Sequence, residues 1–258
     1  IEVKTYGGFD QVKVTTPYKI DNIDTDVERK IEEDVKTAVA NVDGNAGTIT
    51  SSSRVGPTIA NDTIWSALKA IFYSLIVTFI YILVRFRSVA FSIGAVVAVF
   101  HDVLVILGIF SIFNGILPFS LDVDQAFVGA ILTLMGYSMN DTVVVFDRVR
   151  EYLNEKKNAN ESIEKVINNA LNSTLSRTAV TGVATTLVLL ILLIFGGESI
   201  RGFIFAMLLG VIVGTYSSLF VAAPIVVDSM QRQLAREAKK PIVPEVVPVP
   251  VENKKGKK

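Results

Sequence analysis

Five apolar stretches constrain the fold of this chain more than any other feature of its sequence. A helix of about twenty apolar residues is long enough to cross the hydrocarbon core of a bilayer. Half of the 258 residues are hydrophobic and the mean hydropathy is +0.48, which is high for a soluble domain. The sequence therefore predicts a polytopic α-helical membrane protein. The predicted spans are residues 63–84, 88–113, 124–146, 178–196 and 202–228.

Lysine and arginine residues cluster at one end of these stretches. The opposite ends have few: segment 114–122 has none, and segment 196–202 has only Arg201. Basic residues favour the cytoplasmic side of a membrane protein. The sequence therefore predicts a cytoplasmic C-terminus and places residues 1–60 outside the cytoplasm. The basic residues at the predicted cytoplasmic ends are Arg85, Arg87, Arg148, Arg150, Lys156, Lys157, Lys165, Arg177, Arg232, Arg236, Lys239 and Lys240.

Residues 1–60 are polar, and their pattern predicts a small extracytoplasmic α/β domain of the ferredoxin-like kind. Apolar and polar residues alternate in VKTYGG and QVKVTTPY, with a turn at Gly7-Gly8 between them. DTDVERKIEEDVKTAVA has helical spacing, and GTITSSSRVG predicts another strand. Because a polar domain needs an export signal or a span before it, we expect a further hydrophobic helix upstream of Ile1, which would be a sixth span.

The remaining chain divides into four predicted segments. Residues 61–146 carry the first three of the five spans, and residues 178–228 carry the last two. Residues 147–177 between them predict a cytoplasmic loop, in which NESIEKVINNALNSTL forms a short amphipathic helix on the membrane surface. Residues 229–258 end in a proline-punctuated, lysine-rich sequence that predicts a disordered cytoplasmic tail.

Polar residues interrupt the third span at Asn140-Asp141. An ionisable group in the bilayer core costs roughly 3 kcal/mol and usually faces a bundle interior. We therefore expect Asp141 to point into a seam between helices, where a carboxyl group that gains and loses a proton could act as a proton carrier. The alternative is that Asn140-Asp141 only ties helices together by hydrogen bonds. The polar face predicted around this pair comprises Thr133, Gly136, Tyr137, Asn140 and Asp141.

Two further polar positions belong to the predicted proton pathway. His101-Asp102 lies near the middle of the second span, where it could relay a proton or form a satisfied buried pair. Arg177 begins the fourth span, where it could act as a counter-ion to Asp141 or mark the cytoplasmic boundary. Small residues at spacing four predict close helix packing in the fifth span. The predicted packing seam comprises Gly136, Gly202, Ala206, Gly210 and Gly214.

Several classes of function are excluded by residues that the sequence lacks. The chain has no cysteine, and His101 is its single histidine, so thiolate and multi-histidine metal sites are not expected. No phosphate-binding loop, nucleophile elbow or zinc-protease helix occurs. Net charge is zero, which gives no indication of nucleic acid. We expect no enzymatic activity, no catalytic residue, no metal and no cofactor other than protons.

Five motifs resemble successive signatures of the SecF family. They are SSRVGPTI, FHDVLVILG, GYSMNDTVVVFDRVRE, NSTLSRTAVTGVATT and IRGFIFAMLLGVIVGTYSS. The resemblance implies a six-span member of the resistance–nodulation–division superfamily in the bacterial inner membrane. Such a subunit pairs with SecD, which in some members is fused upstream, and the complex uses the proton-motive force to help preproteins through the SecYEG channel after the SecA motor has acted.

The same resemblance assigns roles to residues of this chain. Asp141 matches the family's intramembrane aspartate, Arg177 matches its loop arginine, and His101-Asp102 matches its HD pair. The implied partners are SecD, SecYEG, SecA indirectly, unfolded preprotein and membrane lipid. Two alternatives remain: a passive scaffold that stabilises the Sec complex, and a proton-coupled small-molecule exporter, which would need a larger outer domain.

Overall fold

The computed structural model describes residues 2–6, 8–18, 26–40, 48–50, 52, 57–117, 119–155 and 161–238. Five helices in these ranges are long and apolar enough to cross a membrane, which confirms the five predicted spans. The elements are β1 (Glu2–Tyr6), β2 (Gly8–Thr15), α1 (Val27–Ala40), α2 (Pro57–Phe86), α3 (Val89–Phe113), α4 (Gln125–Asn154), α5 (Ile163–Phe195), α6 (Glu198–Ser217), a π-helix (Ser218–Ala222) and α7 (Ala223–Ala238).

The N-terminal region contains the predicted hairpin and helix. Strands β1 and β2 pair antiparallel, with Val3 opposite Val14, and the register is irregular between Thr5 and Tyr6. Helix α1 covers most of the predicted helical segment. The predicted strand GTITSSSRVG is not seen at residues 48–50 and 52, and its other residues lie outside the described ranges. The ferredoxin-like fold and the expected upstream span stay predictions.

The predicted cytoplasmic loop at 147–177 differs from the structure. Helix α4 continues to Asn154, and the amphipathic segment is the first half of the long helix α5 and not a separate surface helix. Ser162 caps α5 by accepting a hydrogen bond from the Lys165 amide. The predicted apolar face is confirmed, because Val166 and Ile167 are buried in the bundle. Once that face is covered by neighbouring helices, nothing ends the helix before the span begins.

The last predicted span also continues further than expected. Helix α6, the π-helix and α7 follow one another without a break, so residues 229–238 of the predicted disordered tail are helical. Residues 239–258 lie outside the described ranges. Pro224 accounts for the π-helix, because a proline has no amide hydrogen and its ring clashes with the carbonyl group four residues earlier. A wider turn between Ser218 and Ala222 relieves that clash.

Two apolar clusters form the core. One lies towards the predicted outer end and includes Phe110 and Phe127, whose ring centroids are 4.5 Å apart. The other lies towards the predicted cytoplasmic end, where Phe86, Phe91 and Phe146 pack with centroid distances of 5.3, 5.9 and 4.9 Å. Apolar side chains also cover the outward surface of α2, as contact with lipid requires. They include Ile64, Leu68, Phe72, Val77, Ile80 and Val84.

Small residues lie where α6 comes close to its neighbours. A Cβ atom at Gly210 would overlap the side chain of Leu134 on α4, and one at Gly214 would lie 3.0 Å from Cβ of Ser138. Ala206 is fully buried, and a Cβ at Gly202 would lie 2.8 Å from the carbonyl oxygen of Ser120. Gly136 is the exception among the predicted seam residues. It is exposed on α4, and a Cβ there would meet nothing within 4 Å.

Candidate functional site

Asp141 lies half-buried on α4, facing α5. Its side chain is beside that of Thr178, and Arg177 places a positive charge nearby. The Oδ2 atom is shielded from solvent and has no hydrogen-bond partner among the described residues. A buried carboxylate oxygen without a partner is costly, so Asp141 is a candidate for a functional group.

The predicted polar face around Asp141 is divided between the bundle and its surface. Tyr137 points inward enough for its hydroxyl to donate to Oγ1 of Thr185 at 3.3 Å. Thr133, Gly136 and Asn140 are instead exposed on the outside of α4. We expected all five residues of this face to point towards a contact between helices, but only Tyr137 and Asp141 do so. The hydroxyl group of Thr133 bonds its own backbone, but in a bilayer the exposed amide group of Asn140 needs a second helical surface to cover it.

Asp102 lies in a second polar site, in the centre of the bundle. It is 5% exposed, and its Oδ2 accepts a hydrogen bond of 2.7 Å from Oγ of Ser138. Its Oδ1 lies 3.3 Å from Nδ1 of His101, whose ring is partly exposed. Ser217 on α6 also lies beside the carboxyl group. The carboxyl group of Asp102 is thus held by α3, α4 and α6 together.

Two more hydroxyl groups extend this site along α4. Thr142 donates to the carbonyl oxygen of Ser138 at 3.0 Å, and its Oγ1 lies 2.8 Å from Oγ of Ser218. Ser218 begins the π-helix and also reaches the carbonyl oxygen of Gly214 at 2.9 Å. Thr142 contacts Ser138 through the backbone carbonyl group of Ser138 and not through its hydroxyl group. The contact between Thr142 and Ser218 fastens α4 to the π-helix.

The structure does not join the predicted proton-pathway residues into one site. Asp141 lies beside Thr178 between α4 and α5, with the charge of Arg177 nearby, whereas Asp102 contacts His101 and Ser138 between α3 and α4. Asn140 lies on the outside of α4. Sequence analysis missed Ser138, Thr142 and Thr178. Ser138 and Thr142 lie four residues apart on a span that also carries an acidic residue. This spacing is the sequence signal that could have identified these two residues.

A metal site has no support in the described parts of the chain. No three histidine, aspartate or glutamate side chains there lie close enough together to hold an ion. The chemistry available at Asp141 is therefore that of one carboxyl group near one guanidinium group and one hydroxyl group.

Comparison with known proteins decides the family. The sequence profile described as "Protein export membrane protein SecD/SecF, C-terminal" matches residues 34–232. The chain is 47% identical over 236 residues to the protein translocase subunit SecF of Rhodothermus marinus, covering 91% of this chain and 73% of that one. This chain belongs to the SecF family. Another SecF, from Rhodobacter capsulatus, is 46% identical over 192 residues, covering 74% of this chain and 55% of that one.

Solved structures of SecDF share the fold. The crystal structure of SecDF from Thermus thermophilus, described as a translocon-associated membrane protein, gives a TM-score of 0.66 at 34% identity. A SecDF structure in the super-membrane-facing form gives 0.63 at 31%. Each match covers 80% of this chain. In turn, this chain spans only 27% of the length of either SecDF chain. A SecF chain with five such helices is a multi-pass membrane protein. Its orientation in the membrane stays a prediction.

Proposed function

We propose that this chain is the membrane subunit of a SecD–SecF complex that uses the proton-motive force to promote late steps of preprotein translocation through SecYEG. It acts in the bacterial inner membrane with residues 1–60 outside the cytoplasm, and protons are its one cofactor. The names of its relatives, protein translocase subunit SecF and SecDF, support the translocation role. The observation that carries the proton role is the buried Oδ2 of Asp141, which has no hydrogen-bond partner in the described parts of the chain and has the charge of Arg177 nearby.

The outward polar face of α4 supports a membrane partner. Thr133, Gly136 and Asn140 are exposed on a helix long enough to cross the membrane. Gly136 leaves room for a second helix to approach closely, since nothing lies within 4 Å of its Cβ position. We propose that the corresponding half of SecD covers this face. Asp141 would then lie between the two subunits, shielded from lipid on one side and held by α5 on the other.

Proton movement at Asp141 supplies a limited amount of work. One elementary charge moved across 100 mV is worth about 2.3 kcal/mol. Two conformers of a protein commonly differ by a few kcal/mol. Transport through this site therefore needs either several protons per cycle or two conformers that are nearly equal in free energy.

His101-Asp102 fits the structural alternative better than a proton relay. Asp102 already accepts a short hydrogen bond from Ser138, and its second oxygen faces His101. A buried carboxyl group on α3 that is bonded from α4 holds these helices together. We propose that Asp102 fixes the bundle and that Asp141 carries the proton.

The Asp141→Asn variant tests this function. The full-length subunit is assembled with SecD and reconstituted in vesicles with SecYEG and SecA, and export of a preprotein is measured with and without a proton gradient. We expect normal recovery of the SecD complex, because Asn fills the same volume, and loss of the gradient-dependent part of export. Asp147→Asn is the matched control. It makes the same change six residues later on α4, where the carboxyl group is exposed and pairs with Arg85.

The scaffold alternative gives a different result in the same experiment. If Asp141 only binds the two subunits together, Asp141→Asn lowers the yield of complex while the remaining complex exports normally under a gradient. Normal export by a fully assembled Asp141→Asn complex would rule out the proton role.

A further inference from the structure

Threonine side chains on α4 and α5 share a hydrogen-bonding pattern. A threonine in a helix commonly turns its hydroxyl group back to a carbonyl oxygen of the preceding turn. In membrane-spanning helices this satisfies the hydroxyl group without a second helix. The threonines that do so towards the residue four positions earlier are Thr133 (2.8 Å), Thr142 (3.0 Å), Thr174 (3.4 Å), Thr181 (3.0 Å) and Thr185 (3.0 Å).

Thr178 departs from this pattern. It is 1% exposed, and its Oγ1 has no hydrogen-bond partner among the residues that the structure describes. Leaving a buried hydroxyl group unpaired costs about 1–3 kcal/mol. Thr178 makes no such bond to the carbonyl oxygen of Thr174, so the orientation of its hydroxyl group needs another explanation.

The carboxyl group of Asp141 supplies that explanation. Its side chain lies next to that of Thr178, and its Oδ2 is also buried and unpaired. Two polar atoms without partners therefore share the cleft between α4 and α5. Thr178 cannot turn away from this cleft by rotation of α5, because Thr174 and Gly182, one turn to either side, are buried on the same face.

A hydroxyl group suits a carboxyl group that changes its protonation state. It donates a hydrogen bond to the charged carboxylate and accepts one from the neutral carboxylic acid. The guanidinium group of Arg177 can only donate, so it favours the charged form alone. A threonine beside Asp141 can donate to the charged form and accept from the neutral form, whereas an arginine can only donate.

We propose that Thr178 is a positioning residue for Asp141, with its hydroxyl group bonding the carboxyl group in both protonation states and fixing its orientation in the α4–α5 cleft. This inference rests on the proposed proton role of Asp141 and adds a residue to that site. Neither composition nor spacing identifies Thr178, because its neighbours Thr174 and Thr181 have the same residue type and different partners.

Three variants test the role of Thr178 in the full SecD–SecF complex. Thr178→Val keeps the shape and removes the hydroxyl group, whereas Thr178→Ser keeps the hydroxyl group. Thr174→Val is the matched control, because Thr174 is buried one turn earlier but bonds its own backbone. The first measurement is gradient-dependent export in vesicles. The second is the infrared carboxyl band of Asp141 in the purified complex, identified by its absence in Asp141→Asn.

We expect Thr178→Val to lower gradient-dependent export on the order of tenfold, as loss of a hydrogen bond to a charged group would. Its carboxyl band should move to higher frequency, because a carbonyl group with fewer hydrogen bonds is stiffer. Thr178→Ser should restore both, and Thr174→Val should change neither. The infrared band reports on Asp141 even where a variant assembles poorly, so a folding defect does not hide the result.

The outcomes separate this inference from the function on which it rests. If Asp141→Asn abolishes gradient-dependent export while Thr178→Val resembles Thr174→Val in both measurements, the role of Thr178 is wrong and the proton role of Asp141 stands. If Asp141→Asn exports normally, the proton role itself is wrong.

Discussion

Ser138 on α4 donates a 2.7 Å hydrogen bond to Asp102 on α3, and both side chains are buried. The two residues are 36 positions apart in the chain. With Ser138 facing α3, Asp141, three residues later on the same helix, faces α5 and Thr178. The Ser138–Asp102 bond is thus compatible only with a rotation of α4 that turns the proposed proton carrier towards α5.

Removing the Ser138 hydroxyl group should destabilise the bundle. Ser138→Ala leaves an oxygen of Asp102 buried without its partner, and we expect the free energy of unfolding in detergent to fall by about 1–3 kcal/mol. Ser111→Ala is the control, because Ser111 is exposed on α3, and we expect a change within about 0.5 kcal/mol. Equal, small effects of the two substitutions would show that the Ser138–Asp102 bond contributes nothing to stability.

Adding a methyl group at Gly94 should separate α3 from the end of the π-helix. A Cβ there would lie 2.9 Å from the carbonyl oxygen of Ala222 and 2.8 Å from Cγ2 of Val226. Gly94→Ala should cost about 1–3 kcal/mol, because the backbone of the π-helix must move. Gly108→Ala on the same helix is the control. A Cβ at Gly108 meets nothing within 4 Å, so the higher helix propensity of alanine should leave stability unchanged or raise it. The reverse order of the two melting temperatures would contradict this packing.

The Arg85–Asp147 ion pair should contribute little to stability. Arg85 binds both oxygens of Asp147, at 2.8 and 3.0 Å, but the side chains are 42% and 44% exposed. Exposed ion pairs are screened and are typically worth less than about 1 kcal/mol. We expect Asp147→Asn to lower the free energy of unfolding by no more than that, and the difference from wild type to shrink in high salt. A loss above 2 kcal/mol that salt does not reduce would mean that the pair is shielded from solvent.

A contact between the hairpin and the bundle should be detectable by cross-linking. Nζ of Lys13 on β2 lies 3.2 Å from Oδ2 of Asp122, in the segment between α3 and α4. The chain has no cysteine, so the double variant Lys13→Cys, Asp122→Cys carries the two thiol groups that matter. A short bismaleimide should join them within one chain and change its mobility in a denaturing gel. Each single variant is the control, and cross-linking no better than in those controls would contradict the contact.

Hydropathy and spacing predicted the elements well, because these signals are local. The sequence predicted the five apolar helices, the hairpin, helix α1 and the buried face of Val166 and Ile167. It did not predict where the long helices end. Helix α5 begins at Ile163 because packing covers its amphipathic half, and the wide turn before Pro224 depends on how α6 continues into α7.

The sequence singled out candidate site residues but not their arrangement. Asp141, Arg177, His101 and Asp102 stay predicted site residues, and the sequence could not show that they lie in two separate places. Gly136 was assigned to the packing seam by spacing, yet it faces outward. Spacing tells which residues share a helix face, whereas the neighbour of each face depends on contacts between distant segments.

The sequence by itself determined that the described part of this chain has five helices able to cross a membrane, because a stretch of about twenty apolar residues spans the hydrocarbon core as a helix. It also placed one carboxyl group within the third span. Tertiary structure alone decided which hydroxyl group faces which carboxyl group, since Ser138 and Thr178 reach Asp102 and Asp141 only after three helices fix their rotations against one another. Those rotations come from side-chain packing at sites such as Gly210 against Leu134, which no local pattern records.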